Sequence, residues 1–231
     1  MSQDGFLELF EVKNKKAYIR NLFISIIVRD IKQRFSVRYP EALRKMADYL
    51  TDTLCLEINY KSLAKQFSFD SAHTAENYVG YLRQAYLLIG LQKFPFKSRE
   101  RICNEKNYVI DTAFISTAKE DFSEQSFGWR LENIVCIELF SRRNQTLNDV
   151  YYYKNGYEID FVLVSDNKVV ELIQVAADIS AQKTFNRETN ALLRAATELN
   201  CNNLTLITLN GNRIYTVNNQ SINIVSILKW L

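Results

Sequence analysis

The stretch that decides the fold of the second half of the chain is NGYEIDFVLVSDNKVVELIQVAAD, residues 155–178. Two apolar runs, 157–164 and 169–175, are separated by a short polar segment that contains Asp166 and Asn167. Apolar runs of this length, rich in branched side chains and bounded by turn residues, are typical of β-strands. The stretch therefore predicts two neighbouring strands joined by a turn.

The length of the turn determines whether the polar side chains Asp160 and Gln174 lie on one face of the sheet. With a two-residue loop, Val164 pairs with Val169, and the two polar side chains point to opposite faces. With a three-residue loop, Ser165 pairs with Val169, and Asp160 lies opposite Gln174. Only an odd loop or a bulge builds a common site, and we expect the three-residue loop.

The elements around the hairpin predict a mixed sheet. They are a helix over 126–141, strands over 150–153, 203–208 and 213–217, a helix over 184–199, and a final apolar helix that ends at Trp230 and Leu231. A strand, a helix and then a buried strand favour a right-handed crossover and a partly parallel sheet. Asn210 and Gly211 predict a hairpin turn into the strand at 213–217.

The first half of the chain predicts helices followed by a winged helix. The predicted elements are helices over 15–36, 41–51, 62–67 and 72–88, then two strands that flank a charged loop over 97–106. Gly90 is expected to close the last of these helices. Helix, turn, helix and a basic two-stranded wing form the winged-helix pattern. We therefore predict an α/β protein, α+β overall, with one part over 1–112 and another over 113–231.

Charge is unevenly spread along the 231 residues, although the net charge is only +3. Residues 13–45 hold ten basic and two acidic side chains, a surplus of +8, so the remainder of the chain is at −5. Such asymmetry indicates an acidic partner for this region, and a solvated helix face is the alternative.

Several classes of protein are excluded by the composition. The six glycines are scattered singly, so the chain has no P-loop for ATP. A single His and four separated Cys disfavour a zinc site and indicate reduced thiols. The longest apolar run, 22–28, is too short to span a membrane. These features predict a cytoplasmic protein with no membrane contact.

The resemblance to a nuclease core rests on three motifs. Glu132 lies on a predicted helix, E-I-D ends at Asp160, and E-L-I-Q-V-A follows at 171–176. This order resembles the restriction-endonuclease-like PD-(D/E)XK fold, which uses a helix Glu, a strand Asp and an acid-x-Lys element. The resemblance implies Glu132 and Asp160 as metal ligands, while Gln174 replaces the second acid and Ala176 replaces the lysine.

The two replacements favour loss of nuclease activity. Mg²⁺ prefers anionic oxygens, and Gln174 offers one neutral carbonyl oxygen. Without the lysine, the site lacks a cation that orients water or stabilises developing charge. We therefore expect a vestigial site in which Glu132 and Asp160 hold Mg²⁺ weakly, if at all, and no cofactor in this chain.

An alternative keeps the activity by bringing a cation from the next helix. Lys183 and Arg187 are the candidates for that cation, and Glu188 is the candidate for a replacement acid. A structural ion pair at the start of the helix is the plainer interpretation of the same residues, and we favour it.

Further motifs run along nearly the whole chain. They are G-F-L-E at 5–8, I-V-R-D-I at 27–31, the helix pair between Leu63 and Leu82, L-E-N-I-V at 131–135, E-I-D-F-V-L at 158–163, E-L-I-Q-V at 171–175 and R-E at 187–188. Together they are similar to the C-terminal half of prokaryotic AAA-type ATPases, a domain of unknown function. The resemblance implies an ATPase module upstream, and we expect this chain to be a fragment or a truncated member.

Residues 60–106 carry eight basic and four acidic side chains, which makes DNA a candidate partner. The candidate contacts are Lys97, Arg99 and Arg101 in the wing and Arg83 on the second helix. A winged helix used for protein contacts is the alternative. The leading function is a non-catalytic accessory region of an AAA-type ATPase; a metal-dependent DNA nuclease and a DNA-binding regulator are the alternatives.

Overall fold

The computed structural model describes residues 12–94, 105–115 and 124–231. These residues divide into two compact units, one built from residues 12–90 with 105–115 and the other from 91–94 with 124–231. The first half of the chain is mainly helical, and the second contains a six-stranded mixed sheet. The predicted α/β fold class is confirmed.

The first unit is a cluster of helices with a small sheet. Its elements are α1 (Lys15–Ser25), a π-helical segment (Ile26–Ile31), α2 (Lys32–Arg34), α3 (Pro40–Asp52), α4 (Tyr60–Gln66), α5 (Ala72–Gln84), the first three residues of β1 (Leu88–Gln92), β2 (Glu105–Val109) and a 3-10 turn (Thr112–Phe114). Side chains cap three of the helices, since Asn14, Asn59 and Ser71 each accept a backbone N–H at the first turn. Strands β1 and β2 form a two-stranded sheet.

The end of α5 differs from the prediction. The helix ends at Gln84, and the chain reverses at Tyr86, whose φ is +53°. The Leu87 N–H then donates to the Leu82 carbonyl at 3.0 Å. Gly90 lies inside β1, so the prediction that it closes the helix was wrong. A Cβ atom at Gly90 would overlap the Arg83 guanidinium, so any other residue there requires the arginine side chain to shift.

The second unit is built on the predicted hairpin. Its elements are α6 (Glu124–Thr146), β3 (Asp149–Lys154), β4 (Glu158–Ser165), β5 (Lys168–Val175), α7 (Gln182–Leu199), β6 (Leu204–Thr208), β7 (Arg213–Val217), β8 (Gln220–Ser226) and α8 (Ile227–Trp230). The strand order is β3-β4-β5-β6-β8-β7, with β6 parallel to both β5 and β8. Helix α7 connects β5 to β6, so the predicted parallel pair is present.

The C-terminal end differs from the prediction in two ways. The expected closing helix is present as the four residues of α8, and the apolar residues before it form a strand, β8. The expected turn at Asn210 and Gly211 does not join paired strands, because β7 pairs with β8. The tight turn lies instead at Asn218 and Asn219, whose φ values are +49° and +62°. Asparagine tolerates this left-handed backbone, which a two-residue hairpin requires.

The register of β4 and β5 combines both predicted alternatives. Ser165 pairs with Lys168 across a two-residue turn, so the expected three-residue loop was wrong. One residue later, Val170 is an extra residue in β5, and Leu163 pairs with Glu171. This bulge shifts the register by one. Phe161 then pairs with Ile173, which brings the next residues, Asp160 and Gln174, opposite each other as predicted.

The core of the second unit lies between the sheet and α7. Leu192, Ala195 and Ala196 of α7 are buried in one cluster with sheet residues such as Leu172 and Leu206. Helix α7 packs against β4, β5 and β6. Its first turns lie beside the beginning of β4 and the end of β5. Within the described residues, no helix is long and apolar enough to cross a membrane.

Candidate functional site

Asp160 lies at a second bulge, in the pairing between β4 and β3. Between the pairs Tyr151↔Val162 and Tyr153↔Ile159, β4 has two residues where β3 has one. Bulges of this kind redirect side chains and backbone groups out of the regular ladder. The backbone N–H of Asp160 accordingly donates to a side chain, the Gln174 amide oxygen, at 3.2 Å.

Gln174 is the centre of a buried hydrogen-bond network. Its Oε1 accepts from the Asp160 backbone, and its Nε2 donates to Glu188 Oε2 at 2.7 Å. Asp160 Oδ2 accepts from the Val175 N–H at 2.8 Å. Asp160 and Gln174 are each 7 % exposed and Glu188 is 3 % exposed. The amide therefore links the backbone of Asp160 to the carboxylate of Glu188.

Arg187 neutralises the buried end of this network. Its Nε donates to Glu188 Oε1 at 2.9 Å, and its Nη2 forms an ion pair with the same oxygen. The Glu188 side chain is 4 % exposed, whereas that of Arg187 is 73 % exposed. A buried carboxylate is costly unless it is paired. The guanidinium at the surface thus stabilises the acid beneath it.

The network forms part of the wall of an open cleft of about 1050 Å³. The ionisable residues that line the cleft are Glu132, Glu158, Asp160, Asp178, Glu188, Arg187 and Arg194, and the aromatic ones are Phe127, Trp129 and Tyr157. Five acidic side chains face two basic ones. A cleft with this balance repels phosphate groups unless cations compensate the negative charge.

One rim of the cleft is fixed by Glu198. The hydroxyls of Tyr153 and Tyr157 donate to Glu198 Oε2 at 2.6 and 2.9 Å, and Arg194 Nε donates to Oε1 at 3.0 Å. These bonds, led by that of Tyr153, lower the pKa of Glu198 to about 2. The Arg194 guanidinium also lies 4.4 Å from the centre of the Tyr157 ring. Helix α7 is thereby tied to the β3–β4 hairpin.

The structure brings together most of the predicted nuclease-like residues. Glu132, Asp160 and Gln174 all line the cleft, and Ala176, at the position of the expected lysine, also lines it. Of the two cations proposed to come from the next helix, Arg187 lines the cleft. Lys183 is exposed and does not belong to the lining.

The residues present fit a divalent metal poorly. Within the described parts of the chain, no group of three or more His, Cys, Asp or Glu side chains is placed to hold an ion. The Gln174 oxygen already accepts from Asp160, and both Glu188 oxygens accept from Gln174 or Arg187. Mg²⁺ needs several hard oxygens in near-octahedral order. Three of the oxygens in this network already accept hydrogen bonds from protein groups.

The predicted DNA contacts fall largely outside the described residues. Lys97, Arg99 and Arg101 lie in the segment 95–104, which the structure does not describe. Arg83 is described, and it forms an ion pair with Glu105 while its Nε and Nη2 atoms are buried. Its guanidinium is therefore held within the first unit.

Sequence reasoning missed the remainder of the cleft wall. Arg194 and Tyr157 were not among the predicted site residues, nor was the aromatic pair Phe127 and Trp129. A signal for Arg194 existed, because it lies seven residues after Arg187 and hence on the same face of a helix. The aromatic residues carried no comparable signal.

Comparisons with known proteins place the chain among domains of unknown function. The sequence model of the domain of unknown function DUF8612 matches residues 6–125. That of the domain of unknown function DUF4143 matches residues 127–230. The predicted boundary at residue 112 stays a prediction. No solved structure matches the chain.

Two curated relatives match nearly the whole chain. An uncharacterized protein of Methanocaldococcus jannaschii is 32 % identical over 240 residues, which cover 98 % of this chain and 53 % of the relative. An uncharacterized protein of Haemophilus influenzae is 24 % identical over 222 residues, which cover 94 % of this chain and 52 % of the relative. The chain thus spans about half the length of the curated relatives that it matches.

Proposed function

We propose that this chain, which belongs to the DUF8612 family, is a non-catalytic accessory region of an AAA-type ATPase that serves assembly or substrate contact, with DNA as one such contact. The observation that carries the proposal is the buried network of Gln174, Glu188 and Arg187. It fills the part of the cleft where a nuclease-like site would need a second acid and a lysine.

Charge in the network supports the absence of catalysis. Catalysis by the expected nuclease mechanism needs a cation that is directed at the developing charge on phosphate. The cation of this network, Arg187, is paired with Glu188 instead, and the position of the expected lysine holds the methyl group of Ala176. Without a bound cation, the acidic balance of the lining also disfavours entry of a phosphodiester.

The ATPase part of the proposal rests on the sequence resemblance and on chain length. The motifs of both halves are similar to the C-terminal half of prokaryotic AAA-type ATPases. The curated relatives are about twice as long as this chain, which leaves room for a further module in them. We infer that the present chain works beside such a module, with a winged helix formed by α4, α5, β1 and β2 and a restriction-endonuclease-like second half.

A metal-dependent DNA nuclease is the second candidate, and one observation favours it. Arg187 reaches the network from α7, where a relocated basic residue would have to lie. Incubation of the chain with supercoiled plasmid and Mg²⁺ or Mn²⁺ decides between the two. We expect no nicking above that of the variant Asp160→Ala. Cleavage by the wild type that Asp160→Ala and Arg187→Ala both abolish would refute the non-catalytic proposal.

The ATPase partnership is tested on a whole relative. The full-length archaeal relative is purified next to a version that lacks the half matched by this chain. We expect ATP hydrolysis in both, with an altered oligomeric state or lost substrate contact in the shortened version. Failure of the full-length protein to bind and hydrolyse ATP would refute the partnership and leave the cleavage result unaffected.

A further inference from the structure

Arg29, Lys32 and Arg34 are three exposed basic residues within six positions of the first unit, a segment that we call the basic turn. Arg29 lies in the π-helical segment, and the other two lie in α2. All three side chains are exposed. Among the described residues, none of the three forms an ion pair with an acidic side chain.

The other arginines of the basic region are neutralised. Arg20 and Arg44 share Asp48 at 2.6 and 3.3 Å, and Arg38 pairs with Asp70 at 2.5 Å. Among the five arginines of residues 13–45, Arg29 and Arg34 therefore keep their charge unpaired within the described structure, and Lys32 lies between them. An unneutralised cluster is the kind of surface that attracts a polyanion.

The backbone beneath the basic turn is held by packing. Ile27 and Ile31 are 2 % and 0 % exposed, so they anchor the opposite side of the helical segment. Phe35 stacks on Tyr81 with ring centres 4.1 Å apart and nearly parallel planes. The Arg34 guanidinium lies over the Phe35 ring at 6.0 Å. The three cations are thus presented by an ordered support rather than by an isolated helix end.

We propose that the basic turn binds the phosphate backbone of double-stranded DNA. Six helical residues rise by less than about 9 Å, and phosphates of one strand follow each other every ~3.4 Å along the axis. Three long side chains from such a segment can reach two or three neighbouring phosphates. The inference deepens the proposed function, because it rests on DNA being a contact, and it uses none of the cleft residues.

The polar neighbours of the basic turn favour nucleic acid over an acidic protein. Gln33 and Ser36 are exposed beside the cations, and amide and hydroxyl groups commonly donate to phosphate and sugar oxygens. Asp30 is the acidic residue within the segment 28–36. The proposal places the three cations on phosphates, which carry no sequence information, so we expect binding that does not depend on sequence.

The test is a salt titration with a fluorescein-labelled duplex, read by anisotropy. The proteins compared are the wild type, the variant Arg29→Gln/Lys32→Gln/Arg34→Gln and a control, Lys168→Gln/Lys183→Gln/Lys229→Gln. The control removes the same charge from three exposed lysines of the second unit. Each phosphate contact contributes about −0.9 to the slope of log K against log salt.

The basic-turn variant is expected to lose at least about tenfold in affinity at low salt, and its slope should be shallower by roughly 2 to 3. The control should stay within about twofold of the wild type. Circular dichroism and urea unfolding establish that the variants are folded. The charge reversal Arg29→Glu, made alone, repeats the test if the triple variant unfolds.

Four results with these proteins would overturn the inference, and a fifth comes from a further variant. They are an unchanged affinity in the basic-turn variant, a loss in the control as large as that in the basic-turn variant, and no binding by the wild type at low salt. The fourth is displacement of the labelled duplex by polyglutamate as readily as by unlabelled duplex. The further variant, Lys97→Gln/Arg99→Gln/Arg101→Gln, is titrated in the same way, and a loss confined to it would assign the contact to the wing and also overturn the inference. The plasmid and ATPase assays do not involve the basic turn, so the proposed function fails or stands separately.

Discussion

The side-chain amide of Gln174 donates to the buried carboxylate of Glu188 at 2.7 Å, and this bond joins the sheet to the following helix. In a nuclease-like site the sheet position would hold an acid. Two carboxylates at this distance would repel each other unless a cation lay between them. The buried Glu188 carboxylate therefore requires an uncharged donor such as the Gln174 amide at this position.

Gln174→Glu is expected to destabilise the protein by about 2–4 kcal/mol at pH 7, because it sets two like charges side by side in a buried site. Urea unfolding at pH 7 measures the loss. The exchanged pair Gln174→Glu/Glu188→Gln should recover most of the stability, and an equally stable single variant at pH 7 would contradict the prediction.

Asp160→Ala should destabilise the protein by about 1–3 kcal/mol, because it removes the acceptor of the Val175 N–H. Asp160→Asn keeps an oxygen in place and should cost less. The urea midpoint gives both values. Asp178→Ala is the matched control, since Asp178 accepts from Ser180 at 2.8 Å in an exposed loop and its loss should matter little. Equal effects of the two alanine variants would refute the importance of the buried bond.

Glu198 is expected to contribute an acid-sensitive part of the stability. Its pKa is lowered to about 2 from an ordinary 4.5, so its contribution is complete above pH 4.5 and is lost as the pH falls towards 2. Thermal unfolding of Glu198→Gln should therefore differ from that of the wild type at pH 6 and converge with it near pH 2. Tyr153→Phe, which removes one donor, should reduce the pH dependence in part. A difference that does not vary with pH would contradict this assignment.

Gly90→Ala should destabilise the first unit by about 1 kcal/mol, because the new methyl group displaces the Arg83 guanidinium from Glu105. In an Arg83→Ala background the same change should cost nothing. Gly80→Ala is the control, because a Cβ there meets no atom of the described residues within 4 Å outside its own stretch of helix, and the position lies inside α5. That variant should be stabilised by about 0.5–1 kcal/mol. Both are measured by urea unfolding, and a neutral Gly90→Ala would contradict the displacement.

Strong local periodicity made most of the fold predictable. The hairpin of β4 and β5, the helix α7 and the buried strand β6 follow from runs of apolar residues with clear boundaries. The strand β8 was missed, because its residues Ile222, Ile224 and Val225 form a short apolar run that a helix also explains. Its pairing with β6 and β7 depends on contacts distant in sequence.

The site could be predicted in part. Glu132, Asp160 and Gln174 follow from motif order, and Arg187 and Glu188 from their place on the next helix. The direction of the Gln174 amide, and the choice of Arg187 over Lys183, depend on side-chain packing that spacing does not specify. The cleft wall at Trp129 and Tyr157 depends on the assembled tertiary structure.

The extra residue Val170 separates the geometry of the turn from that of the polar network. Changes in the turn residues 165–168 should not alter the strand pairing beyond the bulge, because there β5 pairs with β6 as well as with β4. Relatives should therefore tolerate turns of different composition and length without misplacing the strand acid or its amide partner. The β4–β5 turn can therefore differ between relatives while the polar residues of the cleft keep their positions.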